Sequence, residues 1–116
     1  MSAPDDLLVA CLCAQWCGVC RSYAGQFAQV QARFPQVRFV WIDVEDQSEL
    51  VDPIEVDTFP TLLIAAAGQP VFFGALAAQP GTLERLVRQN AGRGSDAAAI
   101  TDPDLQALVR RLQAPL

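Results

Sequence analysis

The segment Trp16-Cys17-Gly18-Val19-Cys20 lies between an apolar run and a stretch with helical periodicity. The run before it, residues 7–14, consists of eight apolar residues, which predicts a buried strand. The stretch after it carries one apolar stripe with spacings of 4, 3 and 4, which predicts a helix with one buried face: Tyr23, Phe27, Val30 and Phe34. The two cysteines are therefore predicted to lie where a buried strand turns into a helix.

The predicted position at a helix N-terminus favours a reactive cysteine. A thiol at a helix N-terminus feels the positive end of the backbone dipole and several unpaired N–H groups, which favour the thiolate. The thiolate is the reactive form of cysteine. Because Cys17 and Cys20 are close in sequence, an attacking sulfur has a second sulfur at hand that can resolve the product. Thiol–disulfide exchange is the leading prediction.

Composition narrows the class of protein. A chain of 116 residues with 52% apolar residues is expected to form one domain with its own core. The net charge of −5 excludes a broad electrostatic attraction to nucleic acid or to anionic lipid. All eight basic residues are arginines, so imidazole bases, histidine metal ligands and Schiff-base chemistry are excluded as well.

The N-terminal residues carry two acids, Asp5 and Asp6, where a secretory signal would be basic. The apolar run that follows is too short to span a bilayer. We therefore expect a cytoplasmic protein with no membrane partner. Four cysteines in a reducing compartment point to catalysis or metal binding more than to structural bridges.

The rest of the chain predicts alternating strands and helices. The first helix is expected to end at Phe34, because Pro35 follows it. A second buried strand, parallel to the first because a helix connects them, is expected next. This second strand covers residues 37–44. The remaining predicted elements are a short helix over 47–51, a hairpin of strands 61–66 and 70–73 after which Gly74 turns the chain away, a helix from Pro80 to Gly92, a linker over 93–101 and a final helix capped by Asp102.

This order, with the cysteine motif after the first strand and Phe59-Pro60-Thr61 before the third, resembles the thioredoxin family over about residues 6–92. The resemblance implies an α/β fold, a thioredoxin-like three-layer sandwich whose mixed four-stranded sheet is flanked by helices. Residues 1–92 would form this domain, without the strand and helix that usually open a thioredoxin. Residues 93–116 would be a linker and an extra C-terminal helix. We expect that helix to pack on the same domain, where it would cover the face left bare.

The resemblance also implies roles for individual residues. Cys17 would be the nucleophile and Cys20 the resolving thiol, joined after reaction by a Cys17–Cys20 disulfide. The groove for the client protein would be framed by five residues, with a cis peptide bond before the proline: Trp16, Gly18, Val19, Phe59 and Pro60. The implied partners are client proteins with disulfides and a reductase or thiol electron donor. Neither a cofactor nor a metal is implied, and the expected state is a monomer.

Two positions depart from the family pattern. Cys11 stands where many members carry a buried acid beneath the second cysteine, and Trp41 stands where a buried lysine often faces that acid. The proton of Cys20 must then pass to water, a nearby carboxylate or the client, so we expect a slower second step. We expect Trp41, Phe39 and Phe34 to belong to the core.

The sequence allows three interpretations of the role of Cys11 and Cys13. They lie two apart on a predicted strand and so point to the same face. They are small core residues, or extra redox thiols that communicate with Cys20, or ligands of a metal held by all four cysteines in the spacing C-x-C-x3-C-x2-C.

A second class of function also stays open at this point. In it, the chain is a non-enzymatic binding module or co-chaperone on the same fold. Its partner would bind the acidic segment Asp43–Asp57, which has seven acids and no base, or the C-terminal helix.

Overall fold

The computed structural model describes residues 7–14, 18–35, 37–52, 54, 56, 59–66, 68–75, 81–93 and 100–113. Within these ranges the elements follow the predicted order: β1 (Leu7–Cys13), α1 (Gly18–Arg33), β2 (Arg38–Asp43), α2 (Ser48–Val51), β3 (Thr61–Ala66), β4 (Gln69–Ala75), α3 (Thr82–Arg93) and α4 (Pro103–Gln113). None of the helices in these ranges is long and apolar enough to cross a membrane.

The four strands form one mixed sheet in the order β2-β1-β3-β4. β1 pairs parallel with β2 and antiparallel with β3, and β3 pairs antiparallel with β4. Every residue of β1 is buried. The predicted central strand, the parallel βαβ unit and the hairpin are therefore confirmed.

Helices cover both faces of this sheet. Successive side chains of a strand point to opposite sides, so the residues of β1 are divided between two cores. Four residues of β1 share one core with α1 and α3: Leu7, Val9, Cys11 and Cys13. The alternate residues of β1 share the other core with α2 and α4: Leu8, Ala10 and Leu12. The three-layer sandwich implied by the family resemblance is confirmed.

β2 differs from its prediction as a buried strand. Arg38 is exposed, the three residues after it are half-buried, and Ile42 is buried. The reason is its place in the sheet, since in the described part of the chain β2 pairs with β1 alone and so forms an edge. An apolar run does not distinguish a central strand from an edge strand that is packed on two faces.

α4 shares a core with one face of the sheet. Its apolar stripe is buried in the core that also contains residues of β1, β3 and α2: Leu105, Leu108, Val109 and Leu112. Asp102 caps the helix, because its Oδ1 accepts hydrogen bonds from the backbone N–H of Asp104 (2.8 Å) and of Leu105 (3.3 Å). At the other end, Arg111 donates to the carbonyl oxygens of Leu50 (2.9 Å) and Asp52 (3.1 Å), which joins α4 to the end of α2.

Two predicted boundaries were wrong. β4 continues to Ala75, and Gly74 pairs with Leu62 instead of turning the chain away, because the ladder with β3 outweighs the weak strand preference of glycine. α3 begins at Thr82 and not at Pro80, which lies outside the described residues. Gly81, just before Thr82, has φ +88°, a left-handed conformation that no right-handed helix can contain.

Truncating the buried face of α4 tests whether this helix stabilises the domain. Leu108→Ala removes a fully buried side chain, so we expect it to lower the free energy of unfolding by about 2–5 kcal/mol in denaturant titrations. The control is Arg110→Ala on the exposed side of the same helix, for which we expect a change within about 0.5 kcal/mol. Equal effects of the two substitutions would contradict the packing of α4 on the sheet.

Candidate active site

The cysteine motif spans the connection between β1 and α1. β1 ends at Cys13 and α1 begins at Gly18, so the predicted strand-to-helix junction is confirmed. Trp16 and Cys17 lie outside the described residues. Gly18 is exposed in the first turn of α1, and Val19 follows it in the same turn.

Cys20 also lies in this first turn, and it is only 1% exposed. Its burial fits the shielded sulfur that the family resemblance assigns to this position. It belongs to the core between the sheet and α1. The described part of the motif thus has one exposed residue, Gly18, and one buried sulfur.

The Phe59–Pro60 segment lies at the same end of the sheet. Its peptide bond is cis, as the resemblance implies. Pro60 is buried, and Phe59 is half-buried against the core that contains Cys20. Thr61, the first residue of β3, pairs with Leu12 near the end of β1, because the two strands are antiparallel. Tertiary structure therefore brings together two parts of the predicted site that are about forty residues apart in sequence.

A cluster of sulfur and phenol groups lies beneath the motif. We call Cys11, Cys13, Cys20 and Tyr23 the buried thiol cluster; all four are at most 1% exposed and belong to one core. Cys20 and Tyr23 are three residues apart on α1 and so share a face of the helix. Cys11 and Cys13 point toward them from β1, with 3.7 Å between the two Sγ atoms. That both sulfurs lie on one face confirms the prediction from their spacing.

Tyr23 is a member of this cluster whose hydroxyl the sequence did not single out. It appeared there only as part of an apolar stripe. Its hydroxyl is buried and has no hydrogen-bond partner among the residues that the structure describes. Burial, and then the neighbouring sulfur atoms of Cys11 and Cys13, raise the pKa of Tyr23 to about 12. The phenol is therefore neutral at physiological pH and can act as a hydrogen-bond donor. The sequence signal that could have identified this hydroxyl is the position of Tyr23 three residues after Cys20, about one helical turn along α1.

The aromatic residues of β2 complete the neighbourhood. Trp41 pairs with Cys11 in the parallel ladder, and Phe27 contacts both Trp41 and Phe39 edge-on, with ring centroids 5.3 and 5.5 Å apart. Trp41, Phe39 and Phe34 pack against the core as predicted, but they are half-buried. An aromatic ring, not a charge, thus stands beside Cys11 on the adjacent strand.

The described residues give the metal interpretation no support. Among them, no three or more Cys, Asp or Glu side chains lie where they could together hold a metal ion. Cys11 and Cys13 bring two sulfur atoms together, whereas a structural zinc site takes four ligands. Cys17 lies outside the described residues, so the four-cysteine set is not seen as a whole.

An acidic turn borders the site. Val44 donates its N–H to the carbonyl oxygen of Cys13 (2.8 Å), since β1 and β2 are parallel and end together. The Asp43 Oδ1 accepts hydrogen bonds from the N–H groups of Glu45 (2.9 Å) and Asp46 (3.1 Å). The side chains of Glu45 and Asp46 are exposed, so negative charge faces solvent near the end of β1.

The single tyrosine of the chain makes the environment of the buried thiol cluster measurable. We expect a phenolate absorbance titration to give a midpoint of about 12 for the folded protein and about 10 in guanidinium chloride. Because folding raises this pKa, stability is intact below pH 10 and falls by up to about 3 kcal/mol between pH 10 and 12. Tyr23→Phe should lack this loss. A native midpoint near 10 would show that the hydroxyl is not buried beside the thiols.

Comparison with known proteins agrees with this geometry. Residues 1–88 match the Thioredoxin family model. The chain is 30% identical over 89 residues to thioredoxin-1 of Saccharomyces cerevisiae, which covers 77% of this chain and 85% of that protein. It is 32% identical over 65 residues to the H-type thioredoxin of Fagopyrum esculentum, which covers 56% of each.

Solved structures support the same relationship. The crystal structure of mitochondrial thioredoxin 3 from Saccharomyces cerevisiae, in its oxidised form, superimposes with a TM-score of 0.66 at 29% identity. The superposition covers 74% of this chain and 80% of that one. This chain belongs to the thioredoxin family of thiol–disulfide oxidoreductases.

Proposed function

We propose that this protein reduces disulfides of client proteins through Cys17 and Cys20. The observation that carries the proposal is the position of Cys20, which is buried in the first turn of α1 at the sheet end where the cis Phe59–Pro60 segment lies. Membership of the thioredoxin family supports the same class of chemistry. The five groove residues named above would bind the client.

The reaction takes two exchange steps. In the first, the Cys17 thiolate attacks one sulfur of a client disulfide, that S–S bond breaks, and the other client sulfur leaves as a thiolate that takes up a proton. In the second, the Cys20 thiolate attacks Sγ of Cys17 and displaces the second client thiolate. The client gains two electrons and the protein keeps the Cys17–Cys20 disulfide. A reductase or a thiol donor then returns the two electrons.

The surroundings of the two cysteines favour different protonation states. Cys17 precedes the first residue of α1, where the helix dipole and unpaired N–H groups favour a thiolate. Cys20 is buried among apolar groups, which disfavours its thiolate. None of the acidic residues among those described is buried, so no buried carboxylate there can take the proton of Cys20. We propose that water or the departing client thiolate takes it, which slows the second step.

The exposed acidic turn at Glu45 and Asp46 would favour basic clients over acidic ones. Negative charge near the site repels acidic clients and attracts basic ones, and the effect weakens as salt is added.

The alternative of a binding module that uses α4 has less support, because the apolar stripe of α4 is already buried against the sheet.

The remaining assignments stay proposals as well. We propose a thioredoxin-like domain over residues 1–92 followed by a linker and helix over 93–116, in a monomer that works in the cytoplasm. The yeast thioredoxin-3 to which the chain is similar is mitochondrial.

An insulin-disulfide reduction assay with dithiothreitol as donor tests the cysteine assignment. We expect Cys17→Ser to reduce the rate to the uncatalysed background, because it removes the attacking sulfur. In a separate reaction of the pre-reduced protein without dithiothreitol, we expect Cys20→Ser to accumulate a covalent adduct with insulin on non-reducing gels, because the resolving thiol is gone and no added thiol replaces it.

The control is Arg110→Ser, an exposed substitution on α4, for which we expect the wild-type rate. A Cys17→Ser protein that keeps the wild-type rate would refute the nucleophile. Absence of an adduct with Cys20→Ser would refute the resolving role.

A further inference from the structure

Cys11 and Cys13 take no part in the proposed exchange, and both are buried in the core between the sheet and α1. Their side chains lie on the same face of β1, and their Sγ atoms are 3.7 Å apart. None of the acidic or basic side chains among the described residues is buried beside them. The core therefore contains a close pair of soft donor atoms, which is the kind of ligand that soft metal ions prefer.

The spacing of these cysteines suits an ion between the sulfurs, not a bond between them. Residues two apart on a strand repeat at about 6.6–6.8 Å, which is wider than the roughly 3.5–4.5 Å between the Cβ atoms of a disulfide. A metal–thiolate bond is about 2.3 Å long, so two such bonds in line span about 4.6 Å. Parting the sulfurs from 3.7 Å to this separation turns both side chains toward the wider spacing of the strand.

The number of donors selects the ion. Thiolates favour Cu(I), zinc and iron–sulfur clusters. Structural zinc and iron–sulfur clusters take four protein ligands, whereas among the described residues no three Cys, Asp or Glu side chains lie where they could together hold a metal ion. Cu(I) is a soft ion with a filled d shell, and two thiolates in a line are enough to bind it. The pair is therefore a site for Cu(I), unlike the four-cysteine site that the spacing of the sequence allows.

The Tyr23 hydroxyl is a second, independent observation that points to a ligand here. It is buried and has no hydrogen-bond partner among the residues that the structure describes, and a buried hydroxyl without a partner is destabilising. The sulfurs of Cys11 and Cys13 lie close enough to act on it electrostatically. A thiolate bound to Cu(I) keeps negative charge, so it accepts a hydrogen bond more strongly than a neutral thiol does. The hydroxyl would thus gain a partner when the ion binds.

We propose that Cys11 and Cys13 bind one Cu(I) ion between their two thiolates, and that the Tyr23 hydroxyl donates a hydrogen bond to one of the bound sulfurs. The site goes beyond the proposed function and does not rest on it, because neither Cys17 nor Cys20 is a ligand. The chain has no histidine, and its one methionine is Met1, so few other soft side chains compete for the ion.

Binding changes protonation and not oxidation state. Each thiol loses its proton to solvent as its sulfur bonds to the ion, and copper remains Cu(I) throughout. Two thiolates and one monovalent cation leave a single negative charge in the core. An uncompensated charge is costly to bury, and the hydrogen bond from Tyr23 reduces that cost. Loss of the hydroxyl should therefore weaken binding without abolishing it.

A Cu(I) titration of the full-length chain tests this proposal. The Cys17→Ser/Cys20→Ser double variant is used, because its remaining thiols are Cys11 and Cys13. Under argon, Cu(I) is supplied as its coloured bicinchoninate complex, and the fall in absorbance measures the copper that the protein takes. Since the site is buried, copper is added both to the folded protein and during refolding from guanidinium chloride. We expect one copper per chain, with two sulfur neighbours in the X-ray absorption spectrum.

Three further substitutions in the double variant separate the parts of the proposal. Cys11→Ala should lose the copper to bicinchoninate, and Cys11→Ser, which keeps the size of the side chain, is the second version of this test. Tyr23→Phe should keep one copper per chain with an affinity roughly tenfold lower, the size expected for losing one hydrogen bond to a charged group. The control is Val109→Ala, which truncates a fully buried side chain in the other core and should keep the copper with unchanged affinity.

Each outcome decides the proposal. If the double variant takes no copper by either route, Cys11 and Cys13 are core residues only. If both Cys11 variants keep the copper, the ion is bound elsewhere on the chain. If Tyr23→Phe binds with unchanged affinity, the hydroxyl has no part in the site. Copper that enters only during refolding, and that Cys11→Ser excludes, supports the site. Failure of the proposed function is seen separately, as insulin reduction that survives Cys17→Ser.

Discussion

The burial of β1 on both faces is the constraint on which the rest of this structure depends. All seven of its residues are buried, and it is hydrogen-bonded to β2 on one side and β3 on the other. Its side chains form the floor of both cores, so a change in its register would expose each set to the wrong layer. Because the strand ends at Cys13, its burial also determines where the cysteine motif meets α1.

The chemistry beneath the motif follows from which side chains β1 points toward α1. Cys11 and Cys13 are there, with the Tyr23 hydroxyl opposite them, and no acidic or basic residue in the described part of the chain is buried. A carboxylate in this core would have to be desolvated, whereas thiols and a phenol remain neutral at little cost. The described part of the site therefore combines buried sulfur atoms and a neutral hydroxyl with no buried carboxylate.

The two cores on opposite faces of the sheet contain different parts of the molecule. The one between the sheet and α1 contains Cys20 and the residues that contact it, and the other is closed by α4. Arg111 ties α4 to the carbonyl oxygens at the end of α2, on the side of the sheet away from the buried thiol cluster. α4 thus stabilises the strand that positions the motif without itself facing the reactive sulfurs, and its buried stripe is not available to a partner.

Local patterns in the sequence were enough to predict the order of elements, the central strand, the strand-to-helix junction at the cysteines and the cap at Asp102, because each depends on near neighbours in the chain. Tertiary structure alone decided the rest. It made β2 an edge strand, kept Gly74 within β4, and brought the Phe59–Pro60 segment to the end of β1. It also turned two sulfurs and one hydroxyl toward one another in the core. Spacing along a strand or helix specifies the face on which a side chain lies, but the distance between groups on different elements is set by how those elements pack.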